Sequence, residues 1–536
     1  MSAPTLSTMM GLPLTLDVIL DRADKWMGNI EVVSRRPDKS VVRSTYAKVA
    51  ERARRLARSL VAAGVKRGDR VATLMWNHAE HLEAYFGVPL SGGVLHTLNL
   101  RLSPEDIAYI ANDASDRFLI VDDVLVPLLE KVIQAGAVFE RIFVVGARGE
   151  HESYEELLAS APDIALPTLG ENDACGTCYT SGTTGRPKGV VYSHRSNILH
   201  ALVIALPDSL CISRRDALLP VVPMFHVNAW GLPYACAMVG AKLVFPGPHL
   251  DAPSLLELFE TEKVTIGAGV PTIWIGIREA LDAHPGRWKL QPNITMVVGG
   301  AAAPEQLIRD FDRLGLRLLH AWGMTETSPV GTVSRIPPDR IVKDEADEYF
   351  LRAKQGLPPP LVDITIRNDA GAVPRDDKTS GELLVRGPFI AGSYAGGASP
   401  DRWTDDGWFR TGDVARWCPW GMVQLTDRVA DLIKSGGEWI ASQEIENVLM
   451  GHPAVKEAAV VGVQHPKWSE RPLALVVLKP GLHATADELK AHVAAKFPKF
   501  WIPDEIVFAD AIPRTSAGKF KKTEIRETYR EHYGRA

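Results

Sequence analysis

Cysteine is scarce in this chain. Five residues in 536 (Cys175, Cys178, Cys211, Cys236 and Cys418) are too few for a disulfide framework at this length. Such scarcity fits a reducing compartment, so a cytoplasmic location is expected. No apolar run approaches the ~18 residues that a membrane helix needs. No charged side chain precedes Asp17 and no basic one precedes Arg22. A secretory signal starts basic, so the N-terminus reads as that of a mature cytosolic protein. Neither sign of charge dominates: 65 acidic against 60 basic residues leave a net charge of −5. That gives no global footprint for nucleic acid, although a local basic patch stays open. There is no internal repeat and no low-complexity tract. Charged residues at 23% and hydrophobic ones at 46% are ordinary globular usage, which argues against a largely disordered chain. The length suggests three to four folding units at roughly 100–200 residues each.

What is present is an alternation. Short β-rich runs (Arg70 to Trp76, Arg117 to Asp123, Arg141 to Gly146, Lys242 to Gly247, Ile294 to Gly300) are separated by helical patterns. In the stretch from Thr45 to Gly64 apolar positions recur every three to four residues, and Gly64 is placed to end the helix. This predicts α/β units with largely parallel sheets. After about Gly356 the runs become short strands with turns, a small β-rich subdomain. After Asp427 the α/β pattern returns, and the last ~110 residues are domain-sized. Residues 335–354 hold ten charged side chains and read as a solvated loop or short helix.

The strongest local signal is YTSGTTGRPKGV, from Tyr179 to Val190. Gly182, Gly185 and Gly189 let backbone N–H groups approach an anion, Thr180, Ser181, Thr183 and Thr184 add hydroxyls, and Lys188 adds charge. The pattern suits a polyphosphate, although it is not the ordinary P-loop, because Lys188 follows proline and precedes glycine. A flexible polar surface loop is the plain alternative.

The whole string resembles the signature of the acyl-adenylate-forming enzymes: acyl-CoA synthetases, peptide-synthetase adenylation domains and luciferases. Five further motifs follow in order. GGAAAP (Gly299 to Pro304) is similar to the adenine-binding turn, HAWGMTET (His320 to Thr327) to the aromatic-Gly-x-Thr-Glu motif, and WFRTGD (Trp408 to Asp413) to the ribose motif. DRVADLIKSGGEWIAS (Asp427 to Ser442) resembles the hinge and the loop after it, and PRTSAGKFKK (Pro513 to Lys522) the C-terminal lysine motif.

The resemblance implies an α/β fold: a large N-terminal part of two α/β subdomains plus a β-rich one (1–427), a hinge (428–431) and a small mobile C-terminal α/β domain (432–536). It implies ATP, Mg²⁺ and coenzyme A, an acyl-AMP made first and an acyl-CoA second, and a homodimer. Thr180 to Lys188 would hold the outer phosphates. Gly300, Ala301, Ala302, His320, Ala321, Trp322, Gly323 and Met324 would frame the nucleotide. Thr325 would donate to the α-phosphate, and Glu326 would hold Mg²⁺, a cation that favours carboxylate, water and phosphate oxygens. Asp413 would accept from both ribose hydroxyls, with Arg428 beside it. Lys519 would bridge the carboxylate and the α-phosphate during adenylation. Lys521 and Lys522 read as ordinary surface charges, one of them able to touch CoA phosphates. After rotation about the hinge, Ser435, Gly436, Gly437 and Trp439 would line the thiol tunnel. The family often carries Asp or Lys where this chain has Ala430, which leaves Asp431 as the neighbouring polar hinge residue.

VVPMFHVNAWGLP, from Val221 to Pro233, resembles the segment that lines the acyl pocket. His226 would act as a gate near the carboxylate. Trp230, one helical turn later, is expected on the same face, where its indole would shorten the pocket. Trp322, Gly323, Pro329 and Val330 would supply other walls, with Gly300 near the acyl carbonyl. No acidic residue stands ready for an α-amine, so a short or medium apolar acid fits better than an amino acid. Within the family the resemblance runs to the medium-chain acyl-CoA synthetases and to the ligases of 3-methylmercaptopropionate. Loading of a carrier-protein thiol is an alternative, as is a nucleotide-binding regulator without turnover. Cys175-x-x-Cys178 could suggest metal or redox chemistry, but it has no second pair and abuts the phosphate loop.

Overall fold

A computed structural model describes residues 7–180, 186–436, 438–514 and 520–535, with side chains described to residue 533. Among the described residues the alternating pattern resolves into four sheets. One has seven strands, in the order Glu152–Ser153, Arg141–Val145, Asp116–Asp122, Arg70–Leu74, Val94–Thr97, Ala174–Tyr179 and Gly189–Ser193. All its pairings are parallel except the last, where Gly189–Ser193 runs antiparallel to Ala174–Tyr179. That hairpin places the phosphate-type motif at the sheet's edge. The second sheet has eight strands: Val330–Val333, Arg317–Gly323, Thr295–Val298, Ile266–Gly269, Ala217–Pro220, Lys242–Phe245, Glu31–Arg35 and Val41–Thr45. Only its two outermost pairings are antiparallel.

Helices Leu16–Met27, Tyr46–Ala62, Ala79–Leu90, His194–Ala205 and Leu232–Val239 share one apolar core with residues of both sheets, such as Val71, Phe118, Leu218 and Phe245. Ala79–Leu90 is buried on every side except at Glu80, as a helix in the middle layer must be. Gly87 permits its close approach to Tyr46–Ala62, since a Cβ there would fall 2.8 Å from the Ala53 carbonyl oxygen. The helix Tyr46–Ala62 starts where Thr45 accepts from the Lys48 N–H, and Gly64 follows its end at φ +96°.

After Gly356 comes the β-rich unit, an antiparallel sheet ordered Gly371–Ala372, Asp363–Asn368, Gly381–Arg386, Phe409–Trp417 and Val423–Arg428. The charge-rich segment before it forms the helix Glu345–Ala353, capped by Asp344. It is not wholly solvated: Lys354 is buried, its Nζ 2.7 Å from Asp377 and 2.9 Å from Gln424. The C-terminal unit packs helices Ser442–Met450 and Ala486–Ala494 on a sheet built around the long hairpin Val455–His465 and Ser469–Leu478. Among the described residues no helix is long and apolar enough to cross a membrane.

Candidate active site

The ends of these sheets meet at a cavity of about 350 Å³. Its polar end is framed by Thr180, Arg186, Lys188, Thr325 and Glu326, and its apolar end by His226, Trp230, Gly299, Gly300, Trp322, Pro329 and Val330. A second cavity of about 740 Å³ adjoins it. Gly300, Ala301, Ala302, His320, Trp322, Asp413 and Arg428 face it from one side, and Arg514, Phe520, Lys521 and Lys522 from the C-terminal unit.

Hydrogen bonds from distant segments fix the polar end. Thr180 and Lys188 close the phosphate-type hairpin, Thr180 N–H to the Lys188 carbonyl at 3.0 Å and Lys188 N–H to Thr180 Oγ1 at 3.1 Å. Lys188 Nζ donates to Ser399 Oγ at 2.6 Å and lies 5.2 Å from the Tyr394 ring centre. Tyr394 Oη donates to Glu326 Oε1 at 2.5 Å. Burial and the adjacent Glu326 carboxylate push the Tyr394 phenol well above its usual range, so it stays a donor. Tyr192 Oη donates to the Thr325 carbonyl at 2.8 Å, and Ala391 N–H to that of Glu326 at 2.8 Å. The short 3₁₀ turn Thr325–Thr327 is thereby held between strand Gly189–Ser193 and the segment after strand Gly381–Arg386. The signal that could point to Tyr394, Ser399 and Tyr192 is not in any local pattern, since they meet the motifs only through the fold.

Asp413 and Arg428 are paired neighbours on adjacent strands. Asp413 is 3% exposed; its Oδ2 accepts from Trp322 Nε1 at 2.8 Å, and its Oδ1 lies 3.4 Å from Arg428 Nε. Trp322 packs so closely over Gly331 that a side chain there would overlap its ring, and a Cβ on Gly323 would overlap the Pro329 carbonyl. His320 is buried with Nδ1 3.1 Å from the Ala353 carbonyl, and burial lowers its pKa to about 4, so it is neutral.

At the apolar end the structure corrects one expectation. The turn after His226 is helical but left-handed: Val227, Asn228, Ala229, Trp230 and Gly231 have φ of 47°, 51°, 47°, 58° and 69°. Four successive non-glycine residues in that region are strained. The reversal still brings His226 and Trp230 to the same cavity. The indole lies against Gly299, where a Cβ would fall 3.1 Å from its ring.

The tail also departs from expectation. Lys522 is no surface charge: its Nζ donates to Ser442 Oγ at 2.7 Å and pairs with the buried Glu446 at 2.8 Å. Ser442 in turn donates to Asp427 at 2.7 Å through its hydroxyl. Lys521 is half-exposed and pairs with Glu524. At the expected hinge, Asp431 pairs with Arg526 at 2.9 Å, and Ala430 faces both cavities. Ser435, Gly436 and Trp439 belong to the hairpin Ile433–Ser435 and Glu438–Ile440, and they line neither cavity. Trp439 is 55% exposed, with Lys434 Nζ 5.5 Å from its ring. Ser181, Gly182, Thr183, Thr184, Gly437 and Lys519 lie outside the described residues.

Cys175 and Cys178 are buried thiols; burial pushes Cys175 up to about 12 and Cys178 upward as well. Among the described residues no cluster of three or more His, Cys, Asp or Glu could hold a metal. Glu326 is the one carboxylate among the described residues lining the first cavity, so a magnesium ion placed there would draw on it. Phosphate and water oxygens would complete its shell, a donor set that suits this hard cation.

Comparison with known proteins gives a consistent result. Residues 20–395 match the family model described as AMP-binding enzyme, and residues 444–519 match that of the AMP-binding enzyme C-terminal domain. The chain is 50% identical to a long-chain-fatty-acid–CoA ligase of Thermus thermophilus, over 99% of this chain and 98% of that one. It is 42% identical to a medium-chain-fatty-acid–CoA ligase of Ectopseudomonas oleovorans, over 98% and 97% of the two chains. A 3-methylmercaptopropionyl-CoA ligase of Ruegeria pomeroyi is also 42% identical, over 98% and 99%. Among solved structures, an anthranilate CoA ligase in complex with anthranoyl-AMP superposes with a TM-score of 0.85 at 25% identity, covering 98% of this chain and 99% of that one.

Proposed function

The chain belongs to the AMP-binding enzyme family and is an ATP-dependent, AMP-forming acyl-CoA ligase, and within that activity we propose that its acid is short and apolar, with 3-methylmercaptopropionate favoured. The observation that carries this reading is the Trp230 indole against Gly299, at the apolar end of a cavity whose polar end is lined by Thr180 and Lys188. An indole wall leaves room for a short chain, and it offers a favourable contact to a thioether.

In the proposed chemistry the acid's carboxylate oxygen attacks the α-phosphorus of ATP, the bond to the bridging oxygen breaks, and pyrophosphate leaves. The CoA sulfur then attacks the acyl carbon, the thiol proton is lost to solvent, and AMP leaves. Neither step requires a covalent bond to the protein, so its work is positioning and charge stabilisation. We assign the outer phosphates to Thr180 through Lys188, the α-phosphate to Thr325 and the ribose hydroxyls to Asp413 beside Arg428. Magnesium, held by Glu326, would neutralise phosphate charge. Tyr394 fixes that carboxylate by donating to Oε1. Lys519, which directly precedes Phe520 in the sequence, would reach the reacting carboxylate. Arg514 and Phe520 face the second cavity, which supports this assignment. Ser435, Gly436 and Trp439, which line neither cavity, would meet CoA after rotation about 428–431. The division into 1–427 and 432–536, a cytoplasmic location and a homodimer belong to the same reading.

A second reading, a fatty acid of medium or long chain, is favoured by the relatives from Ectopseudomonas and Thermus. The deciding experiment measures AMP and acyl-CoA formation with ATP, Mg²⁺ and CoA across propionate, butyrate, hexanoate, octanoate, palmitate, benzoate and 3-methylmercaptopropionate. The expected result is strongest turnover with the thioether acid and the short chains. A maximum at octanoate or palmitate would replace the short-acid reading with the second one. AMP release with no thioester would point to another acceptor, such as a carrier-protein thiol.

A further inference from the structure

We propose that Asn77 is a positioning residue for acyl selectivity: from the loop after strand Arg70–Leu74 it holds the strap 220–231 in the register that sets Trp230 against Gly299. The inference rests on the reading of Trp230 as the acyl wall. Asn77 belongs to the seven-stranded unit, whereas the strap leaves the eight-stranded sheet at Pro220. The amide is 2% exposed and fully engaged. Its Nδ2 donates to the carbonyls of Pro220 and Val222, both at 2.9 Å, and its Oδ1 accepts from the Met224 N–H at 2.7 Å. Tyr85 Oη donates to the Met224 carbonyl beside it.

Beyond Phe225 and His226 the backbone turns left-handed and stays so from Val227 to Gly231. Strain of that kind persists only where the surroundings over-determine it. On the C-terminal side, Cys178 Sγ donates to Asn228 Oδ1 at 3.4 Å, and Gly231 fits against His200, where a Cβ would fall 2.6 Å from Nδ1. On the N-terminal side, the Val221 and Val222 N–H groups donate to the Ala268 carbonyl at 2.9 and 3.0 Å, and Asn77, with Tyr85, restrains the residues that follow. Among side chains of its size, only an amide presents two donors and an acceptor in this geometry. Aspartate would keep the bond from Met224 but set its second oxygen against two carbonyls, and leucine would leave all three backbone groups unpaired.

The test compares Asn77→Leu and Asn77→Asp with the unmodified enzyme. The readouts are kcat/KM for octanoate relative to butyrate, KM for ATP, and Tm. Released from its register, the indole moves off Gly299, so the octanoate-to-butyrate ratio should rise by about tenfold while KM for ATP stays within about twofold. A merely structural role would reduce the active fraction equally for every acid, and an unchanged ratio with a lowered Tm would overturn the proposal. If the leucine variant does not fold, Asn77→Asp carries the test, since it keeps the shape and one of the three bonds. Trp230→Ala runs in parallel. A shift there without one at Asn77 defeats this inference alone; no shift at either defeats the acyl-wall reading with it.

Discussion

The two ends of one cavity are built in opposite ways. At the nucleotide end, short motifs bring local geometry: the Thr180–Lys188 backbone bonds, the 3₁₀ turn Thr325–Thr327, and the paired strands that set Asp413 beside Arg428. At the acyl end the wall is a single strap whose left-handed course nothing local requires. It is pinned by Asn77, Tyr85, Cys178 and His200, which come from four other elements. The first end starts from local geometry that distant residues such as Tyr192 and Tyr394 then fix, and it should tolerate little change; the course of the second is set by tertiary contact alone and can be retuned.

The largest effect should therefore come from the nucleotide end and be indifferent to the acid. Asp413→Asn keeps an acceptor for Trp322 Nε1 but replaces the second carboxylate oxygen with a donor. Losing charge-assisted bonds to the ribose costs roughly 3 kcal/mol, about a hundredfold in kcat/KM for ATP. The octanoate-to-butyrate ratio should not move. A loss that depends on chain length would mean the two ends are mechanically one, and the contrast would fail.

The same contrast explains what was legible in the sequence. The Gly/Thr/Lys string by itself pointed to a phosphate-type loop at Thr180 and Lys188, whereas Glu326 and Asp413 were singled out by the resemblance of their short flanking motifs to those of a known family. The alternating α/β pattern and the switch to short strands after Gly356 were legible too, because hydrophobic period is local. Tyr394 and Asn77 were not, because each acts at a contact between segments far apart in the chain. Lys522 looked like one more charge in a basic tail. Its burial depends on Glu446, Ser442 and Asp427, all of which lie far earlier in the chain. The left-handed turn was illegible for a different reason: Val, Asn, Ala and Trp have no shared preference for positive φ, so only packing selects it.

A smaller but more selective effect should follow at the acyl end. Trp230→Ala removes the indole from Gly299 without touching Asp413 or Glu326. Widened acceptance should appear as a shift toward longer acids of about 1–3 kcal/mol, or 10–200-fold in relative kcat/KM. KM for ATP should hold. An unchanged chain-length profile would remove Trp230 from the wall and leave the strap as ordinary core.

The smallest effect sharpens the contrast through pH. The loop that carries Asn77 also carries His78, whose Nε2 lies 2.8 Å from Asp122 Oδ1 and whose Nδ1 lies 3.0 Å from Glu80 Oε2. Burial alone would lower its pKa, but the Asp122 and Glu80 carboxylates outweigh that and raise it to about 10. The buried His320 of the nucleotide end is instead neutral, with a pKa of about 4. Because the folded value at His78 is the higher one, its contribution to stability is complete below about 6.5 and is lost as pH rises through about 10. Within that window the slope is up to about 1.4 kcal/mol per pH unit. Urea unfolding of the full chain from pH 6.5 to 9.5 should show the decline, and His78→Gln should flatten it while lowering stability most at the acid end. Parallel pH profiles for the variant and the unmodified chain would show that His78 is not held as a cation, and the loop behind the acyl strap would then rest on Asn77 and packing alone.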